Sequence, residues 1–173
     1  MIPELRRLFD ERSIRFEQVE RIVVDAGPGS FTGLRVGIAT ANALGLAWKV
    51  PVVGVSSLDL IAWRYRAVRP GAGTFRVGVF AGRGRVYGAR YRALSRGFEK
   101  LSEDRLLSRE AFLKEGDDPD TVGWRLDRID LEGTALGPDA GSALEMERNG
   151  FVSEQAARFA SPHYVRDCDA RPS

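Results

Sequence analysis

Residues Ile22-Val-Val-Asp-Ala-Gly-Pro-Gly-Ser-Phe-Thr-Gly-Leu-Arg-Val-Gly-Ile-Ala-Thr-Ala-Asn-Ala-Leu-Gly-Leu-Ala-Trp48 decide how this chain is read. Ile22, Val23 and Val24 are β-branched and mark a short buried strand. Gly27, Gly29 and Gly33 mark a turn in which the backbone bends sharply and can approach another group closely. Gly33 to Trp48 then carries the strongest helical pattern in the chain. Ser30 or Thr32 can cap that helix by accepting a backbone N–H, and free N–H groups at such a start favour an anion. Gly27, Gly29, Ser30, Thr32 and Gly33 are therefore candidates for an anion-binding loop. The loop departs from the standard phosphate motifs. The ATP-binding loop needs Gly-x4-Gly-Lys-Ser/Thr, whereas five residues separate Gly27 from Gly33 and Leu34-Arg35 follow. The dinucleotide fingerprint needs Gly-x-Gly-x-x-Gly and a later acid, and this loop is one residue wider, with no acid in residues 51–58. Ser30 is also one residue out of place for a Gly-x-Ser-x-Gly nucleophile elbow. A tight turn that binds nothing is the plainer reading.

The helix carries Gly33, Gly37, Ala41 and Gly45 at intervals of four, which leaves one ridge almost bare. A bare ridge lets another backbone approach closely. Its partner is either the chain's own sheet or another subunit, and spacing does not separate the two.

Around this stretch, the periodicity predicts a helix over Pro3–Arg12, with Leu5, Leu8 and Phe9 on one face. It predicts a second strand over Pro51–Val55 and a helix capped by Ser56 or Ser57. Arg69-Pro-Gly-Ala-Gly-Thr74 is the clearest breaker. A hairpin follows, Phe75–Ala81 and Arg85–Leu94, turning at Gly82-Arg-Gly84. Short helices are expected over Ser108–Lys114 and within Ala135–Asn149, with a polar turn at residues 116–120. The expected organisation is a first lobe over residues 1–72, a second lobe over 73–160, and a tail over 161–173.

Composition bounds the function. The chain has 173 residues, 43% hydrophobic and 29% charged, the balance of a soluble globular domain. No apolar run nears the roughly 20 residues of a membrane helix. The opening Met-Ile-Pro-Glu-Leu-Arg-Arg lacks a signal-peptide pattern. One cysteine, Cys168, permits neither an internal disulfide nor a cysteine-based zinc site, and a reduced, cytoplasmic setting is the default. One histidine, His163, excludes any site that needs two imidazoles from one chain, and it reads as a surface or packing residue. Asp117, Asp118 and Asp120 lack the Gly and distal Glu of a calcium loop and read as a solvated turn. No metal or cofactor is expected.

Charge is segregated. Residues 64–100 carry ten bases and one acid, and residues 101–150 carry thirteen acids and six bases. These blocks are either two solvated faces or a surface for an anionic partner beside an acidic one. Arg83, Arg85, Arg90 and Arg92, with Tyr87 and Tyr91, are candidate RNA contacts on the hairpin. Strand arginines that keep an edge soluble are the plainer equivalent.

Gly27-Pro-Gly-Ser-Phe-Thr-Gly-Leu-Arg-Val-Gly, followed by Val52-Val-Gly-Val-Ser-Ser-Leu58, closely resembles the TsaB (YeaZ-like) family. Gly84-Arg-Val-Tyr87 and Pro162-His-Tyr-Val-Arg166 extend the resemblance along the chain. The family is the dimerisation subunit of the bacterial machinery that makes N6-threonylcarbamoyladenosine in tRNA, next to the anticodon. The resemblance implies an α/β, actin-like (Hsp70-like, RNase-H-like) fold of two lobes and a cytoplasmic protein that is not itself the transferase. The catalytic partner it implies is a TsaD-type subunit with a metal-binding histidine pair, beside a TsaE-type ATPase. It also implies a homodimer in the partner's absence, and it leaves tRNA contact indirect. Family interfaces use the first helix and the glycine-rich helix, which carries over to Leu5, Leu8, Phe9, Gly33, Gly37, Ala41 and Gly45. Two departures stand out. Family members begin with a strand hairpin ahead of the first helix, whereas this chain starts at that helix. The expectation is a first lobe truncated at its N-terminus, through a start codon placed too late or a genuine shortening, with Ile22–Val24 left at an open edge. The family's Asp and Glu of the hairpin are Phe80 and Arg85 here. The competing reading is a stand-alone nucleotide- or phosphate-binding enzyme built on Gly27–Gly33.

Overall fold

The computed structural model describes residues 2–152 and 159–165. Cys168 and Arg166 lie outside them. The chain opens with α1 (Ile2–Arg12), which buries none of its residues. After a 3-10 turn at Phe16–Gln18, β1 (Ile22–Gly27) pairs in parallel with β2 (Val52–Ser56), from Ile22 opposite Val52 to Asp25 opposite Val55. Parallel pairing needs a long crossover, and α2 (Phe31–Trp48) supplies it. Ser30 caps α2, its Oγ accepting from the Gly33 amide at 3.4 Å.

α3 (Ser57–Val68) follows β2 without a loop. Ser56 Oγ accepts from the Leu58 amide at 3.2 Å and starts the helix. Then β3 (Thr74–Gly82) and β4 (Arg85–Ala93) form the expected hairpin. Its turn holds Gly82, Arg83 and Gly84 at φ of 87°, 49° and 70°, a run of left-handed positions that favours glycine at two of the three. β5 (Phe98–Lys100) and β6 (Arg105–Ser108) both pair with β4. α4 (Arg109–Lys114), β7 (Asp120–Trp124), β8 (Thr134–Ala135) and α5 (Ala140–Arg148) complete the described chain. The second sheet runs β5-β4-β3-β7-β8, with β6 also on β4, and β7 lies parallel to β3. The sequence reading missed β5 to β8. β7 is only Asp-Thr-Val-Gly-Trp, and its Gly123 stands opposite Gly78 so that two backbones can approach.

α3 joins the two sheets. One face (Leu58, Ile61, Ala62, Tyr65) packs on Phe75, Val77, Ala89, Tyr91 and Val122 of the second sheet. The other (Leu60, Trp63) packs on Val53 and Val55 of β2 and on Ala143 and Met146 of α5. The far side of the second sheet is covered by Phe112, Leu126, Ile129 and Leu131. Gly88 makes room for Phe112, since a Cβ there would lie 2.6 Å from its ring.

Some of the segregated charges are mutual partners. Arg69 meets Asp120 at 3.1 Å, Arg64 meets Asp139 at 3.5 Å, and Lys100 meets Asp104 at 2.5 Å. Asp118 corrects the solvated-turn reading. Its side chain is 0% exposed and takes Arg90 through two bonds, of 2.6 and 3.1 Å, with Arg76 Nε at 3.8 Å. Burial pushes this carboxyl up, but the bonds from Arg90 and Thr74 and the nearby positive charge carry it below its ordinary value.

Two predictions follow from this packing. Asp118→Ala leaves a buried cation uncompensated and should cost about 3–5 kcal/mol in denaturant unfolding. Because the folded carboxyl sits below its unfolded value, the stability it contributes is present above the unfolded pKa. That contribution is lost as pH falls through the folded value, so the variant should show a shallower acid limb. Gly45→Ala puts a methyl into Val52 and should lower stability by about 1–3 kcal/mol. Gly37→Ala meets open space and should raise stability by about 0.5–1 kcal/mol. Equal effects at the two glycines would contradict the packing.

Candidate functional site

The Gly27–Gly33 loop forms one wall of a cleft of about 590 Å³ whose opposite wall is the β3–β4 turn and the end of β7. Asp25 lines it from β1. Its Oδ1 accepts from Ser57 Oγ at 2.5 Å and from the Gly27 amide at 2.9 Å. Burial pushes the Asp25 carboxyl up, against the opposing pull of those two bonds. Within the loop, Ser30 is used as the helix cap and Thr32 is exposed. Gly27, at φ 101°, packs under Leu34, and a Cβ there would lie 2.7 Å from Leu34 Cδ1. An ionised carboxylate in the same cleft opposes a phosphate held by this loop.

The tail closes over the back of the loop. The His163 amide donates to Ala26 O at 2.8 Å. Asn42, within α2, makes two bonds of 2.9 Å to the Ala160 backbone. His163 Nε2 lies 2.9 Å from Asp104 Oδ2, and Asp104 also accepts from Ser56 Oγ. His163, read from sequence as a surface or packing residue, is thus a joint between the tail and the β5–β6 loop. Asn42 and Asp104 had no local signal, since their partners lie 118 and 59 residues away. Among the described residues, no group of three or more His, Cys, Asp and Glu can hold a metal ion. No helix of the described residues is long and apolar enough to cross a membrane.

The bare ridge of α2 is split. Ala41 and Gly45 are buried against Val52 of β2, whereas Gly33 is exposed and Gly37 opens on the cleft. Leu5 and Phe9 of α1 line a groove with Leu44 and Trp48, the Phe9 and Trp48 rings 5.7 Å apart, and Leu8 points outward at 46% exposed. The sequence reading missed the outward face of α2. Val36 and Leu46 are 57% and 59% exposed, and Ala39, Ala43 and Ala47 are exposed beside them. These positions share one helical face, and no charged side chain occurs between Val36 and Trp48. A solvated helix face is normally polar, so an i, i+3, i+7 count outward from Val36 would have found it.

The hairpin arginines separate as well. Arg90 is committed to Asp118, and Arg92 to Glu99 at 2.7 Å. Arg85 is half-buried on β4. Arg83 stands exposed at the turn.

The raised Asp25 carboxyl gives a prediction. A folded pKa above the unfolded one means that ionisation opposes folding. The stability is fully present below the unfolded value and is lost as pH rises through the folded value. Asp25→Asn keeps an oxygen that accepts from Ser57 and Gly27 and removes the titration. Its melting temperature should therefore match the parent near pH 4 and exceed it at pH 8. A variant less stable at pH 8 would contradict this.

Comparison with known proteins agrees with this architecture. The family model described as "TsaD: tRNA N6-adenosine threonylcarbamoyltransferase" matches residues 1–127. The chain is 49% identical over 75 residues to the protein ML0378 of Mycobacterium leprae, covering 43% of this chain and 19% of that protein. It is 30% identical over 173 residues to the tRNA threonylcarbamoyladenosine biosynthesis protein TsaB of Escherichia coli, covering 94% of this chain and 69% of that one. A Pseudomonas aeruginosa crystal structure, titled as similar to peptidase YEAZ, superposes with a TM-score of 0.79 at 26% identity, covering 95% of this chain and 82% of that one. The fold is the actin-like, RNase-H-like α/β fold of the YeaZ structures, and the chain belongs to the TsaB (YeaZ-like) family, whose named members act in tRNA threonylcarbamoyladenosine biosynthesis.

Proposed function

We propose that this chain is a non-catalytic scaffold subunit of the machinery that makes N6-threonylcarbamoyladenosine in tRNA, and that it binds and activates a TsaD-type transferase. Residues 1–72 form the docking lobe and 73–160 the second lobe. The observation that carries the reading is the apolar outer face of α2, Val36, Ala39, Ala43, Leu46 and Ala47, which none of the described residues covers, beside an α1 that buries none of its residues. Such a surface loses free energy in water at roughly 25 cal/mol for each Å² left exposed. A helix from a partner would cover it, and a second copy of this chain would do so when the partner is absent. The contact set moves accordingly. Leu8, Val36, Ala39, Ala43 and Leu46 take the central place, and Leu5, Phe9 and Gly37 border it. Ala41 and Gly45 support α2 from behind.

A single histidine supports the non-catalytic role, since a metal-holding imidazole pair has to come from elsewhere. A TsaE-type ATPase completes the assembly, in the cytoplasm. The competing reading, a phosphate-using enzyme at Gly27–Gly33, is opposed by Asp25 in the same cleft and by the lack of a loop lysine.

Light scattering on a sizing column tests the proposal with the chain and the TsaD-type protein of its organism. The parent should elute with the mass of a mixed complex. Val36→Glu with Leu46→Glu should elute as separate components while keeping the parent's circular dichroism. Leu94→Glu, at an exposed leucine of the second lobe, should leave the complex intact. A mixed complex that survives the double variant would overturn the interface.

A further inference from the structure

Some arginines of this chain meet a carboxylate and others do not, and three of the latter stand at one place. Arg64, Arg69, Arg76, Arg90, Arg92 and Arg105 each meet a carboxylate. Arg35, Arg83 and Arg125 are exposed and make no ion pair among the described residues. These three come from separate parts of the chain, α2, the β3–β4 turn and the end of β7, yet they gather round the mouth of the interlobe cleft. Arg125 lines it, Arg83 adjoins the lining Gly82, and Arg35 stacks on the lining Phe31 with its guanidinium 3.8 Å from the ring centre.

Aromatic rings stand beside them. Phe31 and Trp124, 56% and 49% exposed, both line the cleft. Arg35 Nε donates to Tyr164 Oη at 3.3 Å, and the Phe31 and Tyr164 rings are 6.4 Å apart. Arg35 is thus held by stacking and by one hydrogen bond, with its terminal N–H groups still available as a fork for an oxyanion. Asp25 is the one carboxylate among the described lining residues, and it faces inward to Ser57 and Gly27.

We infer that the mouth of this cleft binds a single-stranded segment of RNA, with phosphates on Arg35, Arg83 and Arg125 and a base stacked on Phe31 or Trp124. Cations with no carboxylate partner among the described residues, beside exposed rings, are what a strand of phosphates and unstacked bases requires. The exposed rings separate this partner from an acidic peptide, which carries no bases to stack on Phe31 and Trp124. The inference rests on the tRNA reading above for its biological sense, and it moves the RNA contact away from Arg90 and Arg92, which are already paired.

The test uses the full chain and a fluorescein-labelled single-stranded RNA of about 15 nucleotides, read by anisotropy over a range of salt. The combined variant Arg35→Gln, Arg83→Gln and Arg125→Gln should bind at least about tenfold more weakly, and the slope of log affinity against log salt should fall by about 2, for three lost phosphate contacts. Trp124→Ala should weaken binding about tenfold with the slope unchanged. Arg92→Gln should bind as the parent does. The inference fails if the parent does not bind the RNA or if the triple variant binds like the parent. It also fails if Arg92→Gln loses as much, or if AMP at stoichiometric level displaces the strand, which would mark a mononucleotide site. Light scattering with the TsaD-type subunit keeps the two proposals apart. The triple variant should still form the mixed complex, and loss of that complex instead of RNA binding would make the cleft mouth a protein contact.

Discussion

The structure depends on α3 being buried on two sides. A helix usually carries one apolar stripe and one wet face. Here Leu58, Ile61 and Tyr65 serve the second sheet while Leu60 and Trp63 serve β2 and α5. The two sheets therefore share one helix as common core. A two-stranded parallel sheet has little independent stability, and β1–β2 gains its support from α2 on one side and α3 on the other. The same helix reaches the cleft between the sheets, where Ser57, at its start, donates to the Asp25 carboxylate.

Polar joints fix what the shared core leaves loose. Asp118 ties β3 and β4 to the loop before β7 through Arg76 and Arg90. Asp104 ties the loop before β6 to the cap of α3 through Ser56 and to the tail through His163. Both carboxylates are buried, so each is costly without its partners. These pairs, with Arg64–Asp139 and Arg69–Asp120, join part of the basic run to part of the acidic run. Arg35, Arg83 and Arg125 at the cleft mouth meet no carboxylate among the described residues, and no part of the described chain covers the apolar face of α2.

Local chemistry was legible in the sequence. Ile22–Val24, the glycine turn and the run to Trp48 gave β1, the loop and α2 to within two residues. The cap of α3 was readable as Ser56 or Ser57 because a capping side chain acts within three residues. Long-range partners were not. β7 has too few strand-type side chains to stand out, and its glycine is explained only by Gly78 across the sheet. Asn42 sits inside a helix of small residues, and its use as a clamp for Ala160 has no local signature. The ridge of small residues was visible, but its direction was not. Half of it supports β2, and the outward face is the neighbouring stripe. That distinction needs the position of the sheet, which sequence spacing alone does not supply.

The central claim is that the outer face of α2, with α1 beside it, is where a TsaD-type partner docks. Amide hydrogen exchange on the chain alone and in the mixed complex measures this residue by residue. The account predicts slower exchange in α1 and over residues 36–47 on complex formation, with β5, β6 and the Leu94 turn unchanged. Slowing confined to the second sheet, with α1 and α2 exchanging as in the free chain, would contradict it.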